Sequence, residues 1–211
     1  MISLKHRAYD IIKENIITCR YSPGTFLNEM LLMEEIGTSR TPIREALNML
    51  EQEKLVRIVS KKGIMVSELT LKEISDVYQV RLMFEPQLIR IWGPSIPVNV
   101  LEGIREKLLR YTVDMDISER NQLDDLFHRT IISCCQNAYL GEWMALLCNQ
   151  NQRIRLMTSQ LDRWMEQNNA DHLHMIEKML RGEYESAAEL MTNHLETAKK
   201  NTFDCLLNSG L

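Results

Sequence analysis

Three histidines and one aspartate in the C-terminal part of this chain fall on helix faces from which they could share a single ion. In NQLDDLFHRTIISCC, Asp124 and His128 are four residues apart and share a face beside Phe127 and Ile131. In DHLHMIEKML, His172 lines up with Met175 and Met179, whereas His174 lines up with Glu177, Lys178 and Arg181. In AAELMTNHLETA, His194 lines up with Ala187, Met191 and Ala198. The spacing predicts that Asp124, His128, His172 and His194 point into one interior and that His174 points into water. A single inward histidine is ordinarily a hydrogen-bonded core residue, and an Asp/His pair four apart can be a simple ion pair. Three such rings with a carboxylate are costlier to bury, because each ring needs partners for two nitrogens. A shared divalent cation satisfies them together. Imidazole and carboxylate donors suit zinc first, and nickel, manganese or iron as well, rather than calcium or magnesium. Four protein ligands leave a coordination position open only if the ion takes more than four.

Arginines mark two further places. In EISDVYQVRLMFEPQLI, Arg81 shares an apolar stripe with Ile74, Tyr78 and Leu88. A buried guanidinium needs a partner. Either Glu85, four residues on, pairs with it, or Arg81 clamps the carboxylate of a small ligand bidentately. The other place is TSRTPIREALNMLEQEKLV, residues 38–56, with two arginines four apart around a proline. Proline is tolerated in a first helical turn, where backbone N–H groups lack acceptors. Pro42 therefore sets a helix start near Ser39 to Thr41, with a hydroxyl as cap. Arg40 sits at the tip and Arg44 one turn along, while Ala46, Leu47 and Leu50 face a core. Guanidinium forks match guanine edges, and Ser39, Thr41 and the exposed N–H groups suit phosphate.

The elements that position these groups read mainly as helix. Apolar residues from Leu4 to Ile17 recur at helical spacing until YSPGT stops them. A short helix over about 27–36 ends at Gly37, and the arginine-bearing helix follows over about 39–53. The β-branched runs Val56, Ile58 and Val59, then Ile64 and Val66, flank Lys61, Lys62 and Gly63 and predict a two-stranded hairpin. Three helices followed by a hairpin make a winged helix-turn-helix, with Lys61 and Lys62 where a wing reaches phosphates. Thr70 and Glu73 form a capping-box pattern, which places a boundary between domains 1–69 and 70–211. Beyond it the sequence predicts an antiparallel all-α bundle of six helices, over about 71–92, 98–116, 119–135, 139–158, 160–180 and 183–207.

The totals agree. With 8 Gly and 5 Pro among 211 residues, the chain is rich in helix formers. Its net charge is −4, but residues 1–66 carry 10 basic against 8 acidic side chains, a basic excess at the DNA-reading end. The sequence contains no apolar run long enough for a membrane span and no signal-peptide pattern. Five cysteines without a CxxC motif fit a reduced cytoplasm and argue against a zinc–thiolate site.

SRTPIREALNMLEQEKLV followed by KKGIMV resembles the DNA-binding domain of GntR-type bacterial transcription regulators. The resemblance implies that Arg40, Thr41 and Arg44 contact DNA and that Gly63 is the wing-tip glycine. Lys54 stands where the family usually has glycine, Lys61 where a first wing glycine is common, and Met30 where some members have arginine. LDDLFHRTIISCCQNAYL and DHLHMIEKMLRGEYESAAELMTNHL resemble the FCD-type ligand domain of the FadR-like branch. This implies metal ligation by Asp124, His128, His172 and His194, a small carboxylate effector, and a pocket near Arg81 and Asn137. The reading is a metal-containing repressor that binds a near-palindromic DNA operator as a homodimer. The alternatives are a DNA-binding regulator with a purely structural metal, or a metalloenzyme built on the Asp/His cluster.

Overall fold

The computed structural model describes residues 3–60, 62–158 and 162–209, and its contacts divide the chain into two units, Met1–Thr70 and Leu71–Leu211. In the first, α1 (Leu4–Ile17), α2 (Glu29–Ile36) and α3 (Arg40–Gln52) accompany three short strands, β1 (Phe26–Leu27), β2 (Val56–Val59) and β3 (Gly63–Val66). The sheet is antiparallel in the order β1-β3-β2, with Ile58 opposite Ile64 and Val59 opposite Gly63. Its core is the sum of the helical stripes: Ile12 and Ile16 of α1, Leu32 and Ile36 of α2, and Ile43, Leu47 and Leu50 of α3 are all buried. This is a winged helix-turn-helix.

Two local features depart from the expectation for this unit. Phe26 and Leu27 pair with Met65 and Ile64, so α2 begins only at Glu29, where the Asn28 Oδ1 accepts the Met30 N–H at 2.8 Å. At α3, Pro42 lies in the first turn as expected. Ser39 is the N-cap by position, but its hydroxyl makes no capping bond.

The end of α3 explains a residue preference. Lys54 N–H donates to Glu51 O and Leu55 N–H to Leu50 O, both at 2.9 Å. This is a Schellman closure, whose linking residue must be left-handed. Lys54 takes that role with φ of 59°, where the regulators that this sequence resembles usually have glycine.

In the second unit, α4 (Leu71–Trp92) leads through a 3-10 turn (Gly93–Ser95) to α5 (Val98–Leu108), α6 (Ile117–Ser133), α7 (Ala138–Thr158), α8 (Asp162–Leu180) and α9 (Tyr184–Ser209). α4 runs antiparallel to α9, because Tyr78 Oη bonds Thr202 Oγ1 at 2.9 Å near one end and Arg90 pairs with Glu185 near the other. α8 and α9 form a hairpin closed at Gly182, whose φ is 76°. Leu88, Phe127, Ile131, Met175, Met179 and Met191 fill the centre. α5 stops at Leu108, well short of the expected 116. Residues 109–116 form turns, and the Asp116 carboxylate accepts the Glu119 N–H at 2.7 Å to start α6. The expected helix start at 160 falls on residues 159–161, outside the described residues.

A left-handed non-glycine residue costs on the order of 1 kcal/mol. Lys54→Gly is therefore expected to stabilise the protein by up to about 1 kcal/mol, read as a higher urea midpoint. A lowered midpoint would show that the lysine side chain outweighs its backbone strain.

Candidate functional site

α6 supplies Asp124 and His128 one turn apart, α8 supplies His172 and α9 supplies His194, and the structure brings all four together. The Nε2 atoms of His172 and His194 lie 3.3 Å apart. Asp124 Oδ1 is 3.9 Å from His172 Nε2, and Oδ2 is 3.8 Å from His128 Nε2. The three rings are buried, and one nitrogen from each lies within 4.8 Å of the others. Donors bonded to one transition metal at about 2.0–2.2 Å sit roughly 3 Å apart, so the group would have to draw in from separations of up to 4.8 Å to share an ion. Phe127 stacks on His172 at 4.2 Å between ring centroids and closes one side.

Two of the rings, His128 and His194, are presented by what lies behind them. His128 Nδ1 meets Glu85 Oε2 at 2.7 Å, and Glu85 Oε1 accepts from Arg81 Nε at 2.6 Å. Arg81 Nη1 donates to Asn151 Oδ1 at 2.6 Å. His194 Nδ1 faces Asp171 Oδ2 at 3.3 Å. A carboxylate that accepts the Nδ1 proton leaves the Nε2 lone pair free to ligate. His172 Nδ1 has no hydrogen-bond partner among the described residues, so that ring's described polar contacts are on its Nε2 side.

Charge follows burial. Desolvation pushes His128 down to about 4 and His172 well below the usual histidine range. Both rings are neutral at pH 7, the form that binds a cation. Burial works against ionisation of Glu85, but Arg81 and His128 hold its carboxyl well below the usual range. Burial lowers Arg155 to about 9, and that guanidinium pairs with Asp124 and with Asp125.

A cavity opens beside the cluster. Arg81 borders it, yet the guanidinium is engaged with Glu85 and Asn151. Asn137 is elsewhere: it is exposed, and its Oδ1 accepts the Leu140 N–H at 3.2 Å at the start of α7. Turn chemistry, rather than the pocket, accounts for that asparagine. The cavity wall instead includes Tyr111, Arg120, Asn121, Arg155 and Asn169, which sequence reasoning missed. Asn121 and Asn169 each stand three residues before a predicted ligand, a same-face spacing that could have found them.

In the first unit, Ser39, Arg40, Thr41 and Arg44 are all exposed at the front of α3. Glu29 of α2 holds both arginines, at 3.3 Å from Arg40 Nε and 3.1 Å from Arg44 Nε. No periodicity pointed to Glu29, because the pairing crosses between helices. Lys62 and Gly63 are exposed at the hairpin, with Gly63 at φ of 111°. Lys61 lies outside the described residues.

An exposed, arginine-bearing helix tip on a winged helix-turn-helix is the architecture of a DNA reader. Residues 4–66 match bacterial regulatory proteins of the gntR family, and residues 76–197 match the FCD domain. The HTH-type transcriptional repressor GlaR of Escherichia coli strain K12 is 28% identical over 203 residues, covering 90% of this chain and 91% of that protein. The gluconate operon transcriptional repressor of Bacillus subtilis strain 168 is 34% identical over 137 residues, 63% of this chain and 55% of that protein. A GntR regulator from Rhodococcus sp. RHA1 has the same fold, with a TM-score of 0.84 at 21% identity over 95% of this chain and 97% of its own. The chain belongs to the GntR family of bacterial transcription regulators and carries an FCD domain.

Removing one partner of a buried ion pair strands the other charge, at about 3–5 kcal/mol. Arg81→Met, which strands Glu85, is expected to lower stability by about 3 kcal/mol in chemical denaturation. Unchanged stability would place Arg81 outside the Glu85–His128 network.

Proposed function

We propose that the protein is a ligand-responsive repressor of the FadR-like branch. As a dimer it binds a short near-palindromic DNA operator, and it senses a small organic acid at a divalent metal. The observation that carries this reading is the exposed pair of guanidinium groups at the front of α3, both held on one side by Glu29. Arg40 and Arg44 reach base edges, Ser39 and Thr41 contact phosphate, and the wing at Lys61, Lys62 and Gly63 touches the backbone. One short helix reads too few base pairs to be selective, so two copies act together. Large exposed apolar side chains on the second unit, Met83 and Ile91 of α4 and Tyr139 and Trp143 of α7, support association of two copies. No helix among the described residues is long and apolar enough to cross a membrane, and work on DNA places the protein in the cytoplasm.

Asp124, His128, His172 and His194 would hold the metal, with zinc the first candidate among ions that suit imidazole and carboxylate. A bound cation supplies a Lewis-acid position for a carboxylate oxygen. The neutral rings of His128 and His172, the carboxylates behind His128 and His194, and the adjoining cavity support this use. Arg81 acts from the cavity wall, through Glu85 and His128. The effector regulates by binding the DNA-competent and incompetent dimers with different affinity.

Each bidentate arginine–guanine contact contributes about 1–3 kcal/mol. A duplex selected from a random library on the wild-type protein should therefore bind Arg44→Ala roughly tenfold to a hundredfold more weakly in gel shift. Helical content should be unchanged. Equal affinity in the two proteins would remove Arg44 from the reading surface.

A further inference from the structure

We infer that the cavity takes a carboxylic acid bearing a hydroxyl group several bonds from its acid end, recognised by Asn121, Asn169 and Tyr111. This rests on the reading that the acid end meets the metal cluster. Asn121 precedes Asp124 by three residues on α6, and Asn169 precedes His172 by three on α8. Three residues of helix rise about 4.5 Å, so the two amides form a second polar layer one turn from the cluster. Both line the same cavity as the histidines, together with Tyr111 from the turn after α5.

These groups have unmet hydrogen-bonding capacity. Asn121 Nδ2, Asn169 Oδ1 and Tyr111 Oη are buried and have no hydrogen-bond partner among the described residues, and Asn121 as a whole is 3% exposed. The Asn169 amide cannot be turned to relieve this, because its Nδ2 donates to the Leu108 carbonyl at 3.1 Å. Oδ1 is thereby fixed as an unmatched acceptor and calls for a donor. A carboxylate has no proton to give, whereas a hydroxyl donates one and accepts through two lone pairs. One hydroxyl can donate to Asn169 and accept from Asn121. An ammonium would also donate, but it accepts nothing from Asn121, and the guanidinium groups of Arg120 and Arg155 on the same wall oppose a second cation. A purely apolar tail would leave all three groups stranded.

The test is calorimetric titration of the full chain, its metal content measured beforehand, with butanoate, 4-hydroxybutanoate and 4-aminobutanoate. 4-Hydroxybutanoate is expected to bind at least about tenfold more tightly than either of the others. The gap should close in Asn169→Leu. That variant also strips the Leu108 carbonyl of its donor, so Asn121→Leu, with its fold checked by circular dichroism, serves as a second arm and should likewise narrow the gap. Equal binding of butanoate and 4-hydroxybutanoate to the wild-type protein would mean that water fills the second layer. This overturns the inference while leaving acid binding at the cluster intact. If a metal-replete protein bound none of the three, the acid-at-metal reading would fall and the inference with it.

Discussion

Burying uncharged imidazole is the constraint on which the second unit turns. His128, His172 and His194 lie in a helical core whose desolvation drives His128 and His172 to the neutral state, and neutral rings offer lone pairs that must be met. Hydrogen bonding meets part of the demand. Glu85 serves one side of His128 and Asp171 one side of His194, while the Nε2 sides of His172 and His194 face each other across 3.3 Å with a carboxylate alongside. Two lone pairs aimed at one another repel unless a proton or a cation lies between them. A cation there would turn the most polar region of the bundle into its most cross-linked one, joining α6, α8 and α9 through a single point.

The same constraint organises the charges further out. Glu85 is buried to present His128, and a buried carboxylate without a cation is untenable, so Arg81 is buried with it. Asn151 then takes one of the guanidinium donors that Glu85 leaves over. A similar logic on the other side sets Arg155 against Asp124 and Asp125. What looks in the sequence like a scattering of charged residues on apolar stripes is one connected assembly built behind the rings. The first unit uses charge differently. There the guanidinium groups of Arg40 and Arg44 stay in water, and Glu29 orients them without covering them.

Helical periodicity carried most of what was legible in the sequence. A single face assignment for each helix is enough to point Asp124, His128, His172 and His194 inward and His174 outward, and His174 is exposed in the structure. The same arithmetic found the buried stripe of α3, and β-branched runs on either side of Lys61, Lys62 and Gly63 found the hairpin behind it. Features set by distant partners were hidden. Glu85 meets His128 across 43 residues, and Asp171 meets His194 across 23. Strand β1 is only two residues long and exists because β3 offers it an edge, so local pattern assigned Leu27 to the next helix. The overrun of α5 has the opposite cause: residues 109–115 keep a helix-like mixture of apolar and charged side chains, and only the capping by Asp116 reveals the break. Asn137 shows that resemblance transfers a residue type more readily than its place, because here the side chain closes a turn.

Metal content of the purified protein, read by elemental analysis alongside X-ray absorption at the metal edge, tests the central claim most directly. The account predicts about one divalent transition-metal ion per chain with nitrogen and oxygen neighbours at roughly 2.0–2.2 Å. The ion should be lost in the His128→Ala, His194→Ala double variant and kept in His174→Ala. A protein that carries no such ion even after incubation with zinc, nickel, manganese and iron, or one whose ion is bound by sulfur, would contradict it.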